Sequence, residues 1–437
     1  MARYSIGDVR KMVEADRVHR SVYNDPDLFE LEIERIFNRS WIYVGHESQV
    51  KRPGDYWTVL VARQPMIMIR HDDGSVRVLY NRCPHRGNLL IGDRFGNADK
   101  SIICSYHAWQ FNFDGSPKAI PLSKGYEGTN LDPAGKACHI KSAPRVENYR
   151  GFVFANLSDH GPGLVEWLGG AKAGFDQICD RAPEGEVEVV PQCFRIIQQS
   201  NWKFFLENQL DVAHAVVTHE STGRAATEVQ EAVAARDGGV PFDYHFLSTF
   251  TLPLGAWDKM TTVNYPLGHS VLEGYMSLRG KDPDSLAYED VMRKHYGEAR
   301  TNEILDQNIH HVICYPGISL QPPLQQLRAV RPIAVDKTLT EIWHFRLKGA
   351  PEPIYRRALG YYNMINSPST MVNADDLWNF RKSHEGLCAD AGDWVSLHRH
   401  AGQDDMKDGV IRTRIGTSEA PLRNYFQAWV NLMTAGN

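Results

Sequence analysis

The sequence predicts an α+β protein of two domains, with a small all-β domain inserted near the N-terminus of a larger one that mixes helices and strands. Three observations carry this. A chain of 437 residues exceeds what one ordinary hydrophobic core supports. Between about residue 40 and residue 157, apolar residues recur with the period of two that marks short strands, punctuated by Asp-Gly turns. Beyond residue 160, strand-like runs alternate with segments of helical length.

In chain order, residues 25 to 37 read as a helix, with Asp25 at the N-cap, Pro26 at the first helical position, and Phe29, Ile33, Ile36 and Phe37 on the apolar face. From Trp41 the pattern shortens to strands at 56 to 61, 66 to 69 and 76 to 80, with hairpin turns at Asp73-Gly74 and Asp114-Gly115. This portion ends near the run 151 to 157, and a Pro/Gly-bearing stretch from Asp159 to Gly163 leads onward. Helices are expected over 161 to 180 and around 200 to 219, and strands at 187 to 190 and 341 to 347. Residues 1 to 38 are expected to pack on the larger portion, which sets the domains at 1–38 with 161–437, and 39–160. The chain holds no repeat of 20 to 50 residues and no low-complexity tract.

Hydrophobic content of 42% and charged content of 23% are those of a globular protein, and a formal charge of -5 argues against nucleic acid as a partner. No apolar stretch approaches the roughly 18 residues that cross a bilayer, and the start lacks a signal-peptide core, so the expectation is a cytoplasmic protein without membrane contact. The seven cysteines agree: the count is odd, and Cys138, Cys179, Cys193, Cys314 and Cys388 lie scattered without framework spacing.

The other two cysteines carry chemistry. Cys83 and His85 stand in C-P-H-R-G-N, and Cys104 and His107 in C-S-Y-H-A-W. Two thiolates and two imidazoles from a pair of short loops match the ligands of a Rieske [2Fe-2S] cluster, in which cysteines hold one iron and histidines the other. Structural zinc also takes Cys2His2, but its pairs are usually spaced by two to four residues, and only Pro84 separates Cys83 from His85. The pattern, with Pro84, Arg86-Gly87 and Trp109 around it, resembles the Rieske domain of the ring-hydroxylating oxygenases.

A second group lies in residues 201 to 220, N-W-K-F-F-L-E-N-Q-L-D-V-A-H-A-V-V-T-H-E. On a helix, Asn208, Asp211 and His214 share a face, whereas His219 falls about 140° away, so the helix must end or distort between the histidines for both to reach one ion. Two histidines so spaced are more often packing residues than ligands. In company with the cluster motif, the stretch resembles the mononuclear iron site of Rieske non-haem iron oxygenases, a facial triad of two histidines and one carboxylate.

The resemblance covers the whole chain and is to the α (large) subunit of the aromatic-ring-hydroxylating oxygenases. Through N-A-D-D-L-W-N-F-R-K-S-H-E-G-L it leans towards the benzoate and anthranilate type. It implies a helix-grip catalytic domain with an antiparallel sheet, and Fe(II) held by His214, His219 and Asp376, with Asp375 as the alternative carboxylate. The other reading of Asn373, Asp375 and Asp376 is that they cap a helix. It also implies Asn208 beside the iron, and Asp211 as an electron bridge from His214 to the cluster histidine, His107, of a neighbouring subunit.

As partners the resemblance implies a small β subunit in an α3β3 assembly, otherwise an α3 trimer, and a ferredoxin and/or reductase supplying NAD(P)H electrons. No G-x-G-x-x-G turn, G-x4-G-K-[ST] loop or G-x-S-x-G elbow occurs, and Gly223 replaces the second histidine of the zinc-protease pattern begun at His219-Glu220. The implied reaction is dihydroxylation or monohydroxylation of a small aromatic substrate with O2, foremost an aromatic acid, with polycyclic or neutral arenes as the alternative. A pure Rieske electron carrier would leave the residues after 160 without a purpose, and a zinc-stabilised interaction protein would leave His214, His219 and Asp376 unexplained. Cavity-lining residues are expected near Asn208 and Gln209, from 245 to 270, 310 to 325, and before Asp375. Arg224 is a candidate partner for a substrate carboxylate, or else a solvent-exposed loop residue.

Overall fold

The computed structural model describes residues 4–132, 135–240, 242–274 and 279–435. The chain forms two compact units, one made of Met1–Ile36 with Val165–Asn437 and one of Phe37–Leu164, so the second is an insertion in the first.

The inserted unit is all-β apart from short 3-10 turns among the described residues. Strands Asp55–Val61, Gln64–Arg70, Val76–Tyr80 and Phe95–Asn97 form one antiparallel sheet. Ile42–His46, Arg145–Tyr149 and Phe152–Asn156 form a second. A third, of Ile102–Ile103, Gln110–Phe111 and Pro117–Ala119, carries the second cluster loop. The Asp-Gly turns close as the sequence predicts: Gly74 and Gly115 have φ of +84° and +89°, conformations glycine adopts without a Cβ penalty. At Gly115 a Cβ would also lie 2.5 Å from the Ile140 carbonyl oxygen. Ile67, Ile69, Leu79, Trp109 and Phe111 form the core, with both cluster cysteines buried among them.

In the larger unit nine antiparallel strands form one sheet, in the order Val187–Gln198, Lys337–Leu347, Gln326–Ala334, Ile318–Gln321, Ile309–Cys314, Ser270–Glu273, Thr261–Asn264, Val410–Thr413 and Asp405–Lys407. The helix Trp202–Leu210 packs against its central strands. Asp25 caps the helix Pro26–Glu32 by accepting from the Asp27 and Leu28 N–H groups, and the last turn, Ile33–Phe37, widens to a π-helix. The expected helix over 161 to 180 is two, Leu164–Leu168 and Lys172–Asp180, because Gly169 takes a φ of +50° between them.

A buried polar knot fixes the central helix. The Glu32 carboxylate accepts from the indole N–H groups of Trp202 at 2.7 Å and Trp429 at 2.6 Å, and pairs with Lys203 Nζ at 2.5 Å. Both charged side chains are fully buried. Such a pair is worth keeping intact, because removing one partner leaves an uncompensated charge in a low-dielectric interior. No helix among the described residues is long and apolar enough to cross a membrane.

Candidate metal centres and cavity

The cluster candidates sit in two loops of one design. Cys83 N–H donates to the Asn88 carbonyl and Gly87 N–H returns to Cys83; Cys104 N–H donates to Trp109 and Ala108 N–H returns to Cys104. Each loop therefore needs a left-handed residue four positions after its cysteine, and Gly87 and Ala108 supply it with φ of +75° and +55°. That curl aims the backbone N–H groups of His85 and Arg86 at the Cys83 sulfur, and those of Tyr106 and His107 at Cys104. Asn88 Nδ2 adds a contact to Cys104 Sγ at 3.7 Å. Hydrogen bonds of this kind tune the potential of a thiolate-bound cluster.

Between the loops the His85 and His107 rings stand 4.6 Å apart, and His85 stacks on Trp109 at 4.8 Å. His85 Nδ1 is sealed from solvent without a protein partner. Two converging sulfurs, two converging imidazoles and an unspent ring nitrogen fit a [2Fe-2S] group of the Rieske kind.

In the larger unit, the helix Trp202–Leu210 stops earlier than expected. The Asp211 N–H still bonds back to Glu207 and Asn208, but Asp211 itself is extended, with φ -98° and ψ 109°. Its Oδ1 accepts from the Ala213 N–H at 2.8 Å, a local turn that competes with the helix. Asn208, Asp211 and His214 thus do not share one continuous helix; a short turn, Ala215–Thr218, separates His214 from His219.

The break serves the geometry. His214 Nδ1 lies 2.6 Å from the Asp211 carbonyl oxygen, which only accepts, so Nδ1 carries the proton and Nε2 keeps its lone pair. His219 is buried, and its ring stands 5.5 Å from that of His214 at 82°. Asp376, on the helix Met371–Leu387, brings Oδ1 to 3.8 Å from His214 Nε2 and 3.3 Å from His219 Nε2. One ligand atom from each of the three lies within 4.8 Å of the others, the only such grouping of metal-binding side chains among the described residues. Asp375 instead faces the other ring nitrogen of His219, at 3.7 Å, and is more exposed. Two imidazoles and one carboxylate so grouped fit a facial triad for a divalent iron.

Asn208 sits against the same atoms: its Nδ2 is 3.0 Å from His214 Nε2 and donates to Asp376 Oδ1 at 3.1 Å. Gln209 Nε2 donates to Asn208 Oδ1 at 2.8 Å and so fixes that amide. Asp211 reaches His214 through its backbone carbonyl, while its carboxylate lies 3.6 Å from Arg399 Nη2.

The three ligand candidates border a cavity walled by apolar residues such as Phe246, Phe250, Trp257, Leu272 and Ile365. The expected segments supply much of this lining, including Met260, His310, His311 and Gln321. Burial lowers His310 to about 4 and His311 well below the ordinary imidazole value, so both are neutral near pH 7. A second cavity of similar size, lined by Arg181, Arg279 and Arg357, holds none of the three ligands, so volume alone does not locate the site.

Sequence reasoning missed Arg328, in the strand Gln326–Ala334. It is buried and lines the cavity, donating Nη1 to Gln209 Oε1 at 2.6 Å and Nη2 to Gln321 Oε1 at 3.0 Å. Burial pushes its guanidinium down to about 10, which leaves it charged at neutral pH. The period-two pattern of its strand was the available signal: Gln326 and Arg328 share one sheet face. Arg224 is exposed on the helix Glu220–Asp237, where it pairs with Glu220 at 2.7 Å.

A pair of loops that fits a [2Fe-2S] cluster in an inserted β unit, and three side chains that fit a facial triad beside an apolar cavity in an α+β unit, point to the class of Rieske non-haem iron oxygenases. The comparisons agree: residues 40–144 match the Rieske [2Fe-2S] domain, and residues 186–435 match the ring hydroxylating alpha subunit (catalytic domain). The chain belongs to the family of ring-hydroxylating oxygenase α subunits and is an oxidoreductase.

The chain is 31% identical over 398 residues to the toluate 1,2-dioxygenase subunit alpha of Pseudomonas putida, covering 90% of this chain and 82% of that protein. It is 29% identical over 437 residues to the anthranilate 1,2-dioxygenase large subunit of Acinetobacter baylyi, covering 96% and 90%. In fold it is similar to a naphthalene 1,2-dioxygenase with indole in the active site, with a TM-score of 0.81 and 23% identity over 98% of this chain and 94% of that one.

Proposed function

We propose that this chain is the terminal oxygenase component that hydroxylates the ring of an aromatic acid, holding a [2Fe-2S] cluster on Cys83, His85, Cys104 and His107 and Fe(II) on His214, His219 and Asp376. The observation that carries it is the convergence of those three side chains to within 4.8 Å at the edge of an apolar cavity. When bound, the iron supplies activation of O2, and the cluster supplies electrons one at a time.

The chain's own residues supply position. The Asp211 carbonyl fixes the tautomer of His214, and Asn208 holds the Asp376 carboxylate with an amide N–H. Phe246, Phe250 and Leu272 offer the ring an apolar wall and keep water out. Asp211 links His214 with the counterpart of His107 in a neighbouring copy; its position directly beside His214 and its partly exposed carboxylate support this role.

The aromatic-acid reading draws on the toluate and anthranilate relatives, and cis-dihydroxylation on their being named dioxygenases. Their designations as alpha and large subunits support a β partner in an α3β3 assembly. Electrons come from NAD(P)H through a reductase and/or a ferredoxin, and seven cysteines, an odd count without framework spacing, suit a reducing cytoplasm. Product analysis with a surrogate reductase and ferredoxin tests the reading. Ring-hydroxylated products from aromatic acids are expected; turnover of neutral arenes alone overturns it.

A further inference from the structure

Arg328 is a buried cation without a buried anion of its own. Its Nη1 and Nη2 groups donate to four neutral amide oxygens: Gln209 Oε1, Gln321 Oε1, Gln326 Oε1 and Asn366 Oδ1, at 2.6, 3.0, 3.2 and 3.4 Å. Arg331, three residues along the same strand and equally buried, shows how this fold treats a structural arginine: it pairs with the buried Glu341 carboxylate at 3.2 Å. Arg328 has no carboxylate oxygen within 4.0 Å among the described residues, and no other lysine or arginine lines the cavity. The carboxylate whose field acts on it is that of the partly buried Asp376. A divalent metal on Asp376 spends that charge, and the guanidinium is then uncompensated in a largely apolar cavity.

We infer that Arg328 is the specificity-determining residue that receives the carboxylate of the substrate, with Gln209 and Gln321 holding its guanidinium in place. This rests on the aromatic-acid reading and deepens it by naming the group that reads the acid. A planar guanidinium takes a carboxylate through two parallel N–H donors, a geometry that amide oxygens approached one at a time do not match. Gln209 connects this anchor to the ligand set, because it also fixes Asn208, which donates to Asp376. An acid anchored at Arg328 has its ring against the apolar wall, and the carboxylate supplies the charge that the protein omits.

The test is calorimetric binding to the purified holoenzyme and does not depend on turnover. Benzoate and 1-naphthoate are each compared with their neutral carboxamides, on the wild type and on Arg328→Met and Arg328→Lys. Arg328→Met is expected to weaken binding of the acids by about 10- to 100-fold, as for loss of a charge-assisted pair, and to leave the carboxamides nearly unchanged. Arg328→Lys, which keeps the charge and loses the fork, should fall between the two. Equal losses for acids and carboxamides would show a structural role and overturn the assignment, as would acids that bind Arg328→Met as tightly as the wild type. A wild type that binds the carboxamides but neither acid instead overturns the aromatic-acid reading itself, so the two failures are distinguishable. Melting temperatures and the cluster absorption of each variant establish that it is folded and loaded.

Discussion

Glu207→Gln should remove a pH-dependent cost from the larger unit. Glu207 lies one helical turn after Lys203 and directly before Asn208. Side-chain Oε2 accepts from the Tyr23 hydroxyl at 3.1 Å, while Oε1 is sealed from solvent with no hydrogen-bond partner. Burial raises the carboxyl to about 7 from an ordinary 4.5, against the opposing pull of the Tyr23 hydroxyl and the Lys203 charge. A folded value above the unfolded one means that the folded state keeps a proton which the unfolded state releases. Stability therefore falls as pH rises from about 4.5 to about 7 and is level beyond.

The difference is worth about 3 kcal/mol, at about 1.4 kcal/mol per unit. Glutamine keeps a hydrogen-bonding partner for Tyr23 and has no charge to desolvate. In calorimetric melts of the holoenzyme, the variant and the wild type should converge near pH 4.5. At pH 8 the variant should melt higher by roughly 5 °C for a unit of about 300 residues. A difference that stays constant across the pH range, or a variant that is less stable at pH 8, would refute the reasoning.

Asp211→Ala should keep both metal centres and a normally reducible cluster, yet slow substrate-dependent reoxidation of that cluster by about 10- to 100-fold in stopped-flow absorbance; an unchanged rate removes the proposed link. Glu32→Leu should cost about 3–5 kcal/mol by stranding buried Lys203, and adding Lys203→Met should restore much of it in a denaturant series. In the inserted unit, Gly115→Ala should lower the temperature at which the visible cluster absorption is lost. Its φ of +89° strains any Cβ, and that Cβ would press the Ile140 carbonyl at 2.5 Å.

The cluster loops were legible because their chemistry is local: Cys83 and His85, like Cys104 and His107, lie within one turn of chain, and Gly87 announces the curl. The two histidines answered to resemblance in company with the cluster motif, since their spacing alone favours packing, and the point where their helix ends was not legible. The Asp211 side chain caps a new turn onto Ala213, a choice that helical periodicity does not reveal. Asp376 lies 157 residues beyond His219 and answered to resemblance alone; its neighbour Asp375 has the same local signature, and only the fold separates them. For Arg328 the shared face with Gln326 was legible from the period of two, but which face meets the cavity was not. An arginine in a strand points to either face according to register, and the strand pairing of Arg328 with Ser319 and Ile342 is a long-range property of the sheet. Arg224, nearer the histidines in sequence, drew attention that its exposed pair with Glu220 does not support.

The most direct test is the iron and acid-labile sulfide content of the wild type and of Asp376→Ala. The wild type should hold about three irons and two sulfides per chain, and Asp376→Ala about two and two, with an unchanged reduced-cluster EPR signal. A third iron retained by Asp376→Ala but lost by Asp375→Ala, or a wild type that never holds more than two, would contradict an iron centre built on His214, His219 and Asp376.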